Sequence, residues 1–202
     1  MTERTKVKFS AEEAALMNDA SVILTKNRVI QKVYELFGVV SAGCEDLLRS
    51  VSLPDEVRSV PAKISKGENY LGWPYVILDL PRYFSSNDVL AIRTMFWWGH
   101  YFSVTLHLKG KYKIAYAKAI EEAYDSMLKA PAFLAITEDE WHHCIDDKNY
   151  LLISTLDKDR FKEMINAQSF LKISFKVPME LNEMLEEELL KRIRALIFIL
   201  DH

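Results

Sequence analysis

The chain has 202 residues, half of them hydrophobic and 27% charged, which is enough globular material to bury a core without disulfides or a structural metal. This composition excludes intrinsic disorder. Lys plus Arg number 26 against 29 Asp plus Glu, a net charge of -3, so no overall field draws nucleic acid or an anionic membrane surface.

Cys44 and Cys144 form no CxxC pair. Two isolated thiols suit a reducing compartment, where they act as small buried hydrophobes. The amino terminus carries no apolar core behind its charges, and the longest apolar run, Ala195 to Leu200, is six residues. A membrane span needs about 18 or more. A cytoplasmic protein without membrane or nucleic-acid partners is expected.

Ser10 followed by Glu13 is a capping box, and a long helical pattern follows it. Leu16, Ile23, Ile30, Phe37 and Cys44 recur every seven residues, with Val33, Val40 and Leu47 in the matching position. The spacing predicts one helix from about Ser10 to Ser50, interrupted at most near Gly38 or Gly43. Val22, Val29 and Leu36 widen the stripe, which favours packing on a sheet or bundle over an isolated coiled coil.

Pro54 and Pro61 bracket a loop, and strand signals begin after Gly72. Tyr75 to Leu80 reads as a strand, and Ser85 to Asp88 as a capped helical turn. Residues 103 to 108 alternate, with Val104, Leu106 and Leu108 on one face and Ser103, Thr105 and His107 on the other. Gly99 marks a hairpin turn or bulge. A helix follows from about Tyr112 to Lys129, then a short strand from Ala132 to Ile136.

Thr137 with Glu140 is a second capping box, predicting a short helix through Ile145. Tyr150 to Thr155 reads as a strand, and Asp157 caps a helix through Ala167. Phe170 to Val177 alternates with Leu171, Ile173, Phe175 and Val177 inward, and a last helix follows Pro178. Strands cluster without regular βαβ alternation. The fold expected is therefore α+β, a mixed or mostly antiparallel sheet packed against long amino-terminal, central and carboxyl-terminal helices. It is read as a single domain over 1–202, with a subdivision near residue 130 as the alternative.

Named chemical motifs are absent: no GxGxxG, HExxH, GxSxG or EF-hand loop occurs. Gly67 and Gly72 have phosphate-loop spacing, but Trp73 and Pro74 stand where Lys and a hydroxyl residue are needed. No cofactor is implied. The concentrated signal lies elsewhere. Ten of the 23 aromatic residues fall between Tyr70 and Phe102, with polar residues interleaved.

An apolar pocket with a few fixed polar groups is the usual makeup of a small-molecule site. The ligand-binding residues expected are Glu68, Asn69, Tyr70, Trp73, Arg82 and His107, with Arg82 clamping a carboxylate or phosphate. The alternative is an acid–base hydrolase using Asp79 or Glu68 with His100 or His107. Against both stands ordinary core packing, in which the aromatics fill the interior and Asp79 pairs with Arg82.

Trp141-His-His-Cys-Ile-Asp-Asp147 resembles a ligand cluster, but on a helix Cys144 faces the core, away from the histidines. No metal is expected there. Lys109, Lys111 and Lys113 read as a solvated connection. Glu187–Lys191 and Glu188–Arg192 support the last helix as i,i+4 pairs. Residues 196 to 200 are apolar on more than one helical face. Together with the first helix they motivate a third reading, an interaction protein that forms a homodimer.

Overall fold

A computed structural model describes residues 7–201. Ser10 caps helix α1 (Ala11–Asn18): its hydroxyl accepts from the Glu13 amide at 3.1 Å, and Glu13 accepts from the Ser10 amide at 2.6 Å. The helix does not run through to residue 50. It stops at Asp19, whose carboxylate accepts from the Ser21 amide at 2.9 Å and so starts a new helix, α2 (Ala20–Leu48). A short acidic side chain that bonds the backbone two residues on competes with helix propagation, and here it wins. Gly38 and Gly43, the expected breakpoints, remain helical. At Gly43 a β-carbon would lie 2.8 Å from the Leu190 side chain, so that glycine lets the last helix approach α2.

A single-turn helix α3 (Asp55–Arg58) leads into the sheet. Its strands are β1 (Lys63–Tyr70), β2 (Trp73–Phe84), β3 (Val89–Trp97), β4 (Tyr101–Lys109), β5 (Ala132–Ala135), β6 (Tyr150–Leu152) and β7 (Phe170–Val177). They lie in the order β1-β2-β3-β4-β7-β5-β6, each pair antiparallel. The fold is α+β, and strands from both sides of residue 130 share the sheet. Strand β1 has no clear apolar alternation in its sequence. It is an edge strand whose partner β2 supplies its pairing.

Tight turns occur where glycine supplies the backbone: Gly72 at φ +89 between β1 and β2, and Gly99 at φ +74 between β3 and β4. The Ser85–Asp88 segment is the β2–β3 turn rather than a helical turn, closed by the Ser85 amide on the Asp88 carbonyl at 2.9 Å. The predicted central helix is α4 (Lys111–Glu122) followed by a short α5 (Tyr124–Met127). Asp157 caps α6 (Lys158–Ala167), and α7 (Leu185–Leu200) closes the chain.

One sheet face carries Val76, Leu78, Leu90, Ile92, Val104, Leu106, Leu171 and Ile173. These pack against Phe37, Val40 and Cys44 of α2 and Leu189, Ile193 and Leu196 of α7. Burying such side chains is the main stabilising term, about 1.5–3 kcal/mol each. The opposite face carries the alternate residues. Its cross-strand rows read Asp79, Arg93, Thr105, Ser174 and, next to it, Ala91, His107, Lys172. Residues 136–149 cover that face. Between Asp79 and Arg82 the β2 register slips by one residue, which keeps Phe84 on the same face as Asp79.

Candidate functional site: a buried polar seam and an exposed arm

Charged residues on a covered sheet face must be paired or neutral. Both solutions are present. Asp79 and Arg93 form a bidentate pair, Nε to Oδ1 at 2.7 Å and a terminal nitrogen to Oδ2 at 2.9 Å. The other terminal nitrogen of Arg93 lies 2.9 Å from His143 Nε2, and His143 Nδ1 lies 3.3 Å from Lys172 Nζ. A guanidinium only donates, so Nε2 is the acceptor and the imidazole proton sits on Nδ1, facing Lys172.

Lys172 is fully buried. Nζ donates to the carbonyls of Glu140, at 3.1 Å, and His142. Two donated bonds and one accepted from His143 are what a neutral amine can make. Burial, and secondarily the Arg93 charge, lower its pKa to about 7. Burial and the charges of Lys172 and Arg93 likewise hold His143 well below the usual imidazole range. His107 is pushed down to about 3, chiefly by burial and then by Lys172, Arg93 and Lys109. Its Nε2 lies 3.2 Å from Glu140 Oε2, though misaligned for a hydrogen bond. Thr105 and Ser174 complete the seam at 2.8 Å.

Three tyrosines fasten the covering segment. The Tyr70 hydroxyl accepts from the amides of His143 and Cys144 at 2.6 and 3.0 Å, and that of Tyr101 accepts from Ile145 at 2.8 Å. The Tyr150 hydroxyl donates to the His142 carbonyl at 3.0 Å. With these partners residues 142–145 form no helix, contrary to the capping-box reading of Thr137 and Glu140. Hydroxyls brought from distant strands satisfy the backbone groups that local helix bonds would have used.

The expected ligand-binding residues are dispersed. Trp73 and Arg82 sit nine positions apart on one strand, roughly 30 Å at ~3.3 Å per residue, so they cannot clamp one small molecule. Arg82 Nε donates to the Pro61 carbonyl at 3.2 Å rather than pairing with Asp79. Glu68 is exposed and pairs with Lys26 of α2. Asn69 accepts from the Gly72 amide at 3.0 Å and serves the β1–β2 turn. The aromatic rings pack on one another: Tyr70 meets Trp97 at 5.4 Å, and Trp97 stacks on His100 at 3.6 Å. Half-exposed Trp73 meets His100 edge-on at 5.5 Å.

Of the acid–base candidates, Asp79 and His107 share the seam, but Arg93 takes Asp79 and Glu140 faces His107. His100 lies at the β3–β4 turn, outside the seam. Arg93 and Lys172 escaped sequence reasoning, while Glu140 entered it only as a helix cap and His143 only as part of the 141–147 cluster. The usable signal was Arg93 on β3 and the even-numbered polar set Lys172, Ser174 and Lys176 on β7, in register with Ser103, Thr105 and His107. A cleft of about 270 Å³ lies elsewhere, bounded by Leu48, Leu53, Val57, Pro61, Leu80 and Pro81.

At the other end of the molecule α1 and the first turns of α2 stand clear of the core. Burial along α2 begins at Ile30. Before it, Phe9, Leu16, Met17, Ile23 and Leu24 are 63, 59, 67, 57 and 56% exposed. The heptad stripe thus continues past the body that buries its second half. By contrast Leu196, Ile197, Ile199 and Leu200 are internal core, so most of the carboxyl-terminal run is covered by the chain itself.

No family model, curated protein or solved structure matches this chain. Among the described residues no helix is long and apolar enough to cross a membrane.

Proposed function

We propose that the chain is an interaction protein of a reducing, cytoplasmic compartment that self-associates through its amino-terminal arm. The observation that carries this reading is the exposed half of the apolar stripe. With Val7 and Val22, the five side chains above offer roughly 700 Å² per chain, close to the ~800 Å² per partner of a stable interface. Apolar surface of this extent along one arm, from Val7 through α1 to the first turns of α2, is the mark of a covered face.

The arm also complements itself. Its first helix is acidic, with Glu12 and Glu13, and the following helix carries Lys26 and Arg28. An antiparallel two-fold pairing about Asp19 and Ala20 sets Leu16 against Ile23 and Leu24, Met17 against Val22, and Glu12 against Arg28. One patch then serves both copies. The acid–base alternative has less support, because Arg93 takes Asp79 and residues 136–149 cover His107, which leaves a substrate no open approach. Two free cysteines fit the reducing compartment.

Light scattering at micromolar concentration tests the proposal. A mass twice the chain's 23.4 kDa is expected, and Ile23→Glu should return it to one chain with an unchanged circular dichroism spectrum. An unmodified chain that remains single under these conditions ends the reading.

A further inference from the structure

The segment read from its sequence as a helix would separate Cys144 from His142. In the fold residues 142–145 form no helix, and the consecutive amides of His143 and Cys144 both turn toward the Tyr70 hydroxyl. A ring nitrogen of His142, Sγ of Cys144 and a carboxylate oxygen of Asp146 all lie within 4.8 Å of one another. Sγ and Oδ2 are 3.4 Å apart.

With metal–ligand bonds of about 2.0–2.3 Å, tetrahedral zinc holds its donors roughly 3.2–3.8 Å apart. Side-chain rotations on the order of 1 Å close the set. We propose that His142, Cys144 and Asp146 bind one Zn²⁺, with water at the fourth position. The inference is independent of the self-association proposed above.

Three further observations support the assignment. His142 Nε2 is buried and makes no hydrogen bond, an unusual state for a polar atom away from water. Asp146 is oriented from behind: Oδ1 accepts from the amides of Lys148 and Asn149 at 3.1 and 3.0 Å and from Asn149 Nδ2 at 2.7 Å. That leaves Oδ2 toward Cys144, the kind of outer support that metal carboxylates have. The backbone on which the donors sit is tied to the sheet by Tyr70, Tyr101 and Tyr150.

A mixed nitrogen, sulfur and oxygen set suits Zn²⁺ over the hard cations. One thiolate and one carboxylate neutralise the dication, which suits a partly buried position. On binding, the Cys144 S–H bond breaks, an S–Zn bond forms and the proton leaves to solvent.

The experiment is a cobalt titration of the chelator-treated full chain, followed by displacement with zinc. One equivalent of Co²⁺ should produce a near-ultraviolet thiolate-to-cobalt band that zinc abolishes. Cys144→Ser should lose the band, while Cys44→Ala keeps it. Asn149→Ala, which touches only the outer support, should bind cobalt roughly tenfold more weakly. His142→Gln, on a partly exposed side chain, should weaken binding at least as much and guards against misfolding of the cysteine variant. A natively folded chain that gives no band, a band surviving in Cys144→Ser, or an unaltered affinity in His142→Gln overturns the proposal.

Discussion

Lys172 lies in the centre of a sheet with a neutral imidazole on one side and two carbonyls above it. Its environment makes a distinctive stability prediction. The folded pKa is about 7 and the ordinary lysine value is 10.5. Between these limits the unfolded chain binds the proton and the folded chain does not, so stability rises with pH. The slope approaches 1.4 kcal/mol per pH unit at most. Above about pH 9 the buried Cys44 thiol opposes it, since burial raises it to about 12. The depressed histidines His107 and His143 add a slope of the same sign up to about pH 7.5, so the clean window is about pH 7.5 to 8.5. Urea midpoints should climb across it in the unmodified protein and stay flat in Lys172→Met. A flat profile in both would mean the amine keeps its proton when folded. Nothing in the local sequence signals this: Phe-Leu-Lys-Ile-Ser-Phe-Lys-Val reads as an alternating strand with its lysines on the solvated side. That face is instead covered by a segment from elsewhere in the chain.

At the scale of elements, legibility followed locality. β7 was readable to the residue because its apolar alternation is packed on α7, and α6 because Asp157 caps it with a 2.7 Å bond from the Arg160 amide. The covering segment was misread because its determinants are non-local. Tyr70, in β1, holds two of its amides, and Tyr101, in β4, holds a third. Tyr70→Phe keeps the ring against Trp97 and removes only the acceptor. Two backbone N–H groups then lose their partner, at a cost of about 1–3 kcal/mol each where water cannot replace it. Amide exchange at His143 and Cys144 should accelerate markedly while Ile145, held by Tyr101, changes less. Equal acceleration across the sheet would show that Tyr70 supports the whole fold and not this segment. The same non-locality dispersed the expected pocket. A dense aromatic stretch was visible in the sequence, but its strand register, which sets Trp73 and Arg82 at opposite ends of β2, was not.

For the molecule as a whole, the two apolar features that suggested a dimer separate. Ile199 is 2% exposed and belongs to the core, so its stripe was closed by the chain's own sheet. The amino-terminal stripe has no such cover, because α2 outruns the sheet it packs on. The proposed two-fold pairing makes a prediction that a generic sticky surface does not. If Glu12 of one copy faces Arg28 of the other, the contact occurs twice in each dimer. Exposed pairs are worth roughly 0.2–1 kcal/mol, so reversing one partner twice over should weaken association several-fold to about tenfold. Glu12→Arg alone and Arg28→Glu alone should each raise the dissociation constant by that margin at low salt. The double reversal should restore it, since the charges again oppose across the axis, and about 1 M salt should erase the differences. Sedimentation equilibrium of the four proteins decides the matter. Association that responds to Ile23→Glu but is indifferent to both reversals would keep the apolar arm and discard this register.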